Sequence, residues 1–207
     1  AHEIKNPLTP MRLSIQNFQR RYEKSSNKIN KVNVEEFSNS LIEQIDVMSN
    51  VATAFSDFAT LPKANLKLSN IVEITRRATE IFEYENIIFK SNVHKILFPL
   101  DRTQWIRVMT NLIQNGLQSV SADRKHKIKV ELKNYNKKIF ILVSDNGGGV
   151  DPNLKNKIFE PMFTTKTKGM GLGLGIVKKI IEIHKGLISY KSDNKTGTTF
   201  TIELQKK

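Results

Sequence analysis

DNGGGV (residues 145–150), FEPMFTTK (159–166) and GMGLGLG (169–175) together hold seven of the chain's ten glycines. Glycine weakens helices and strands, so this density implies a backbone that takes positive φ or comes very close to a ligand. The segment before it, KIFILVSD, is rich in β-branched and aromatic residues and reads as a strand. The segment after it, IVKKIIEIHK, leans Ile176, Val177, Ile180, Ile181 and Ile183 to one side and reads as a helix. A glycine-rich loop feeding a helix N-terminus offers N–H groups and the positive end of the helix dipole to an anion. The stretch reads as a phosphate cradle, with a plain surface loop as the alternative.

Upstream, NLIQNGLQSV sets Asn111 and Asn115 four apart on a helix, hence on one face. Val108 and Leu112 lie beside that stripe and can pack inward. Asparagine is a mediocre helix former, and a pair at this spacing suggests a polar ligand. A carboxamide oxygen suits magnesium, which prefers oxygen and shares its coordination with substrate phosphates. Asp145 closes a strand whose Ile141 and Val143 share its face, so a carboxylate ends an apolar wall and can accept an amino group there. A turn-capping aspartate is the alternative.

These segments resemble the N, G1, F and G2 boxes of bacterial sensor histidine kinases, in that family's order. HEIKNPLTP at residues 2–10 resembles the H box, nearest to the NtrY-like branch. The resemblance spans nearly the whole chain. It implies a dimerisation and histidine-phosphotransfer hairpin at residues 1–62, then a catalytic ATP-binding domain at 63–207. The expected fold is an α-helical hairpin, dimerised into a four-helix bundle, followed by an α/β sandwich with a mixed sheet.

The resemblance also implies roles. His2 is the phosphoacceptor, a neutral imidazole being a competent nucleophile near pH 7. Glu3 hydrogen-bonds the far imidazole nitrogen or acts as base, and Asn6, four residues from His2, sits near the phosphoryl group. ATP and Mg²⁺ are the expected ligands: Asn115 on the metal with Asn111 in support, Asp145 on the adenine amino group, Gly147 and Gly149 in its loop. Phe159 and Phe163 anchor a lid formed by Gly169, Gly171 and Gly173. Lys166 meets the γ-phosphate as a point charge, and Thr198 assists Asp145 through a water. Four positions depart from the family pattern: Gly148 where proline is usual, Met162 where an aromatic is usual, and Gly116 and Gly175 where alanine is common. Gly148 predicts a looser loop, and the flexible thioether of Met162 absorbs its change.

The 207 residues are long enough for one or two domains with a real core. There is no cysteine, which excludes disulfides and thiolate metal sites. No apolar run approaches a membrane span and no signal peptide is visible, so a soluble cytoplasmic piece is expected, with a membrane sensor upstream as in other family members. Residues 1–62 carry 7 basic and 7 acidic side chains, and the remainder carries 26 and 13, the whole net charge of +13. A basic half suits a polyphosphate or an acidic partner. Its lysines are scattered among apolar positions, and the single tryptophan and four tyrosines form no stacking series, which argues against nucleic acid.

Along the chain, Ile4, Leu8, Met11, Ile15, Phe18 and Tyr22 step by 4 and 3, as in the seam of a bundle. After a polar loop, Leu41, Ile45, Met48, Ala52, Phe55 and Ala59 repeat the pattern over a helix from about Val34. Two such helices do not enclose their own seam well, whereas two copies do, so a homodimer is expected, with packing of the hairpin against its own second domain as the alternative. Pro7 and Pro10 each remove a helical hydrogen bond and loosen the turns after His2. LPKANLKL reads as a linker. Beyond it the pattern is α-β-β-α-β-β-α-β-β: a helix near 70–83, strands at 87–90 and 96–98, a helix over 102–120 capped by Asp101 with Gln104, strands at 127–134 and 138–144, a helix over 175–185, and a hairpin of 187–192 with 198–204.

The implied chemistry is phosphoryl transfer from ATP to His2, then to an aspartate of a response-regulator partner, with a reverse phosphatase function also compatible with Glu3 and Asn6. A pseudokinase scaffold is the alternative, resting on Gly116, Gly148 and Met162. An ATPase of the same nucleotide fold is a third reading; such proteins carry a glutamate four residues before the metal asparagine, where this chain has Asn111. Helix ends fray, so a chain extended before His2 is expected to autophosphorylate faster.

Overall fold

The computed structural model describes residues 2–24, 31–59, 61–82, 86–121, 124–155, 157–165, 171–193 and 196–206. They form two compact units, Ala1–Leu61 and Pro62–Lys207. Pro62 goes with the second unit, one residue earlier than the expected boundary, and its carbonyl accepts from Gln104 Nε2 at 2.9 Å.

In the first unit, α1 (His2–Lys24) continues through both prolines and α2 spans Lys31–Ala59. Ser14 Oγ lies 3.2 Å from Ser40 Oγ. The rings of Phe18 and Phe37 stack with centroids 4.2 Å apart. Numbers rise along one helix as they fall along the other, so the two lie antiparallel. Phe37 extends the α2 seam by one step before Leu41. Met11, Phe18, Leu41 and Met48 are half-buried, but Leu8, Ile15 and Ile45 are exposed, together with Leu13, Val34 and Ile42. A single chain therefore leaves an apolar strip uncovered.

The second unit runs β1 (Lys67–Asn70), α3 (Ile71–Glu80), β2 (Ile87–Ser91), β3 (Leu97–Leu100), α4 (Arg102–Leu117), β4 (Ile128–Tyr135), β5 (Lys138–Ser144), α5 (Gly173–Ile183), β6 (Leu187–Asp193) and β7 (Gly197–Gln205). The stretch expected to be only a linker thus contains the start of a strand. β1 pairs antiparallel with β3, Leu68 opposite Pro99 and Ser69 opposite Phe98. A five-stranded sheet has the order β2-β4-β5-β7-β6. β2 and β4 are parallel and the other neighbours antiparallel, which makes the sheet mixed. The tight β4–β5 loop places Asn136 at φ +47, a conformation asparagine tolerates.

Alternation sorts the sheet's two faces. Ile128, Val130, Leu132, Ile139, Ile141, Val143, Phe200, Ile202 and Leu204 are buried on one of them. Lys129, Glu131, Lys133, Lys138, Thr199 and Thr201 alternate with these on the other. α5 starts at Gly173, two residues before its predicted start. Its two glycines cost about 1 kcal/mol each. Ile176, Val177, Ile180 and Ile181 are all buried, and each contributes about 1.5–3 kcal/mol, so packing outweighs propensity.

α4 is the central helix. Asp101 caps it, Oδ1 accepting from Gln104 N at 3.0 Å and Oδ2 from Asn65 N at 2.9 Å. The expected capping box is therefore half made, because Asp101 N donates to His184 Nε2 at 3.0 Å instead of to the glutamine side chain. His184 Nδ1 lies 2.8 Å from the Ile180 carbonyl, which can only accept, so the ring carries its proton on Nδ1. Trp105 is wholly buried and its Nε1 donates to Thr75 Oγ1 at 3.0 Å. Near the far end, Gly116 lets the helix settle on the sheet. A Cβ there would lie 2.8 Å from Ile128 Cδ1 and 3.1 Å from Asp145 Cβ. The Ile128 methyl fills the notch where an alanine would project.

Two outcomes follow from this packing. Gly116→Ala overpacks the notch, and Ile128→Val empties it; the double variant is expected to be more stable than the two single effects predict by about 1 kcal/mol. Urea unfolding of the four proteins checks this, and strict additivity would contradict it. Burial alone would raise the Asp101 carboxyl, but the backbone N–H groups of Gln104, Asn65 and Thr103, with His184, hold it below the ordinary value. Its contribution to stability is thus fully present above the unfolded pKa of about 4 and is lost as pH falls through the lower folded value. Asp101→Asn is expected to flatten that part of the acid-unfolding curve, measured by circular dichroism.

Candidate functional site

The site is built where the end of β5 meets the last turns of α4. β5 alternates Ile139, Ile141 and Val143 into the core, and the next inward position is Asp145, only 8% exposed. Its Oδ1 accepts from Gly147 N at 2.8 Å, Ser119 Oγ at 3.1 Å and Thr198 N at 3.2 Å. Asp145 N in turn donates to Thr198 O at 2.9 Å. Thr198 meets Asp145 directly through its backbone, and its hydroxyl pairs with Ser192 Oγ at 2.9 Å. A Cβ on Gly147 would overlap the Ser119 side chain, so only glycine fits that close approach. Gly148 N bonds Ser119 O at 3.2 Å, which restrains the loop expected to be loose.

The asparagine stripe faces the start of α5. Asn111 Nδ2 donates to Arg107 O at 2.8 Å. A Cβ on Gly173 would lie 2.8 Å from Asn111 Oδ1 and 3.9 Å from Asn115 Nδ2. Both asparagines are half-buried. The N-cap of α5 is the apolar Leu172, with no side-chain cap. The first turn of this helix therefore presents backbone N–H groups and the positive dipole end beside two carboxamides, a setting suited to an anion.

The segment between β5 and α5 is held from two directions. Phe159 packs edge-on to Phe200 and Tyr190, with centroids 6.4 Å and 6.1 Å away. Burial pushes the Tyr190 phenol up, and its hydroxyl donates to Lys155 O at 3.1 Å. Phe163, half-buried, lies against Gly171, whose φ is +64 and where a Cβ would overlap the Phe163 carbonyl. Met162 takes φ +66, so its substitution for an aromatic coincides with a left-handed turn. Gly149, at φ +77, and Val150, whose N donates to Ser192 Oγ at 2.8 Å, complete the wall beside Asp145.

α4 is thus the shared wall that joins Asn111, Asn115 and Gly173 on one side with Asp145, Gly147 and Thr198 on the other. Gly171 approaches the same region from the Phe163 turn. Lys166 and Gly169 lie outside the described residues. His2, Glu3 and Asn6 belong to the helical first unit, and their side chains lie outside the description. Ser119 was missed by sequence reasoning; it stands two residues past the end of α4, in the turn that follows the asparagine stripe. Among the described residues no group of three His, Asp or Glu side chains could hold a metal alone. A magnesium ion here would need the asparagine oxygens together with phosphates.

Known proteins are similar to this chain in sequence and fold. Residues 100–207, just over half of the chain, match the family model described as histidine kinase-, DNA gyrase B- and HSP90-like ATPase. A Rickettsia conorii protein named as an NtrY-like sensor histidine kinase is 33% identical, over 100% of this chain and 35% of its own length. The nitrogen regulation protein NtrY of Azorhizobium caulinodans is 30% identical, over 90% of this chain and 25% of its own. The chain thus spans about a third or less of these curated relatives. Among solved structures, the catalytic domain of histidine kinase ThkA is 32% identical with a TM-score of 0.62, covering 69% of this chain and 96% of that one. ThkA in complex with the response regulator protein TrrA is 26% identical with a TM-score of 0.75, covering 100% of this chain and 60% of that one. No described helix is long and apolar enough to cross a membrane. The chain belongs to the histidine kinase-, DNA gyrase B- and HSP90-like ATPases.

Proposed function

We propose that this chain is the kinase core of a sensor histidine kinase: it uses ATP to phosphorylate His2 and passes the phosphoryl group to an aspartate on a response-regulator receiver domain. The observation that carries this reading is the convergence on α4 of an asparagine stripe, a buried carboxylate and an uncapped glycine-rich helix start. That arrangement has one place for a base, one for phosphates and one for a metal between them.

Asp145 accepts the adenine amino group, with Gly147, Gly149 and Thr198 framing it. The Asn115 oxygen, with Asn111 in support, would hold magnesium, which would supply positive charge to offset the triphosphate. Lys166 and the lid glycines Gly169, Gly171 and Gly173 close over the phosphates. His2 Nε2 attacks the γ-phosphorus in line; the bond to the β–γ bridging oxygen breaks and ADP leaves. The Nδ1 proton passes toward Glu3, and Asn6 positions the phosphoryl group, or a water in the reverse phosphatase reaction. Most of the acceleration comes from positioning and charge. The uncovered strip of Leu8, Leu13, Ile15, Ile42 and Ile45 supports a homodimer in which two copies of α1 and α2 form a four-helix bundle. The ThkA–TrrA complex supports a receiver-domain partner. The chain spans about a third of the NtrY-like relative's length, and we read it as the cytoplasmic core of a membrane-anchored sensor.

His2→Ala is expected to abolish acid-labile labelling from γ-labelled ATP while leaving nucleotide affinity within about twofold of wild type. Free phosphate release without protein labelling would instead select an ATPase. Asn115→Ala is expected to weaken magnesium-dependent ATP binding by at least about tenfold, the loss of one charge-assisted contact. Isothermal calorimetry with and without magnesium checks this, and unchanged affinity would remove Asn115 from the metal site.

A further inference from the structure

We infer that Ser119 is a positioning residue of the nucleotide site, clasping the end of α4 to the loop that carries Asp145 and the glycines 147–149. The inference rests on the ATP reading above and adds a residue to it. Four contacts converge on this serine. Its Oγ lies 2.7 Å from Gly116 O and 3.1 Å from Asp145 Oδ1, so its one proton is divided between them. Its carbonyl accepts from Gly148 N at 3.2 Å, and its N–H donates to Gly116 O at 3.1 Å. Gly147 passes so close that a Cβ there would overlap the serine side chain.

The arrangement ties together two residues that depart from the family pattern. A proline at 148 has no N–H and could not bond Ser119 O, and Gly116 supplies the carbonyl that shares the hydroxyl proton. Two other donors to Asp145 Oδ1 are backbone groups, Gly147 N of the loop and Thr198 N of β7. The Ser119 hydroxyl comes from the turn directly after the helix bearing Asn111 and Asn115. It therefore couples the angle of the carboxylate plane to the helix that holds the phosphate end of the ligand. Without it, the carboxylate can turn about its last torsion and meets a purine 6-amino group less squarely. Contacts to the triphosphate do not pass through this hydroxyl.

The test is calorimetric binding of MgATP and of MgITP, a 6-oxo purine nucleotide, to wild type, Ser119→Ala and Ser119→Thr, with thermal melts of each. Ser119→Ala is expected to bind ATP about tenfold more weakly and ITP within about twofold of wild type, so the preference for the amino purine shrinks. Ser119→Thr, which keeps the hydroxyl, is expected to restore that preference. A packing defect would lower the melting temperature and both affinities together, leaving the ratio unchanged, and that result overturns the inference. So does a threonine variant that behaves like alanine. A wild type that binds neither nucleotide, or does not prefer ATP, overturns the ATP reading as well.

Discussion

The close approach of α4 to the sheet is the constraint on which the second unit depends. Gly116 permits it, because any side chain there meets Ile128 and Asp145. Once the helix is that low, its buried face of Trp105, Val108, Met109, Leu112 and Ile113 fills the core. Its remaining polar stripe is then brought level with the end of β5. The same approach sets Asp145 beside Ser119 and Gly173 beside Asn111. Site geometry and core packing are therefore one problem here, solved by a missing methyl group.

Polar contacts around α4 refine what burial determines. Each buried aliphatic residue contributes about 1.5–3 kcal/mol, while a net hydrogen bond contributes about 1 kcal/mol. Surface ion pairs such as Glu73–Arg77, at 2.6 Å and half-exposed, add less still. Direction is what the polar groups supply. The Trp105–Thr75 bond, the His184 ring between Asp101 and Ile180, and the Ser119 clasp fix how the helix is rotated, which apolar contact alone leaves loose. Glu131 shows the same economy on the outer face. A hydrogen bond from Lys129, against the cost of burial and helped by Lys133 and Lys90, holds its carboxyl below the ordinary value.

Much of this could be read from the residues. The period-3.5 seams located both long helices, and alternation located β4, β5, β6 and β7, because those signals are repeated several times over. Asn111, Asn115, Asp145 and the glycines declared themselves by residue type at telling spacings. β1 did not. KLSN is four residues long with no sustained alternation, and it becomes a strand only because β3 folds back against it. Thr198 was expected to assist Asp145; that both its backbone N–H and its carbonyl bond Asp145 is decided by strand position, which composition does not reveal. Ser119 lay just past the recognisable motif, and its partners are 26 or more residues away or hidden in the backbone. Gly148 promised a looser loop, and the partner its N–H meets, the Ser119 carbonyl in the turn after α4, could not be read from the sequence.

The short β1 strand has a mechanical implication. The backbone entering the second unit is tied to α4 almost at once: Pro62 O to Gln104, Asn65 N to Asp101, then β1 to β3. α4 is 16 residues long, a stiff strut of about 24 Å. Its near end receives the incoming chain, and its far end, at Gly116, lies against Asp145. A tug or torque arriving along the polypeptide at residue 62 is thus handed to a lever whose opposite tip bears on Asp145.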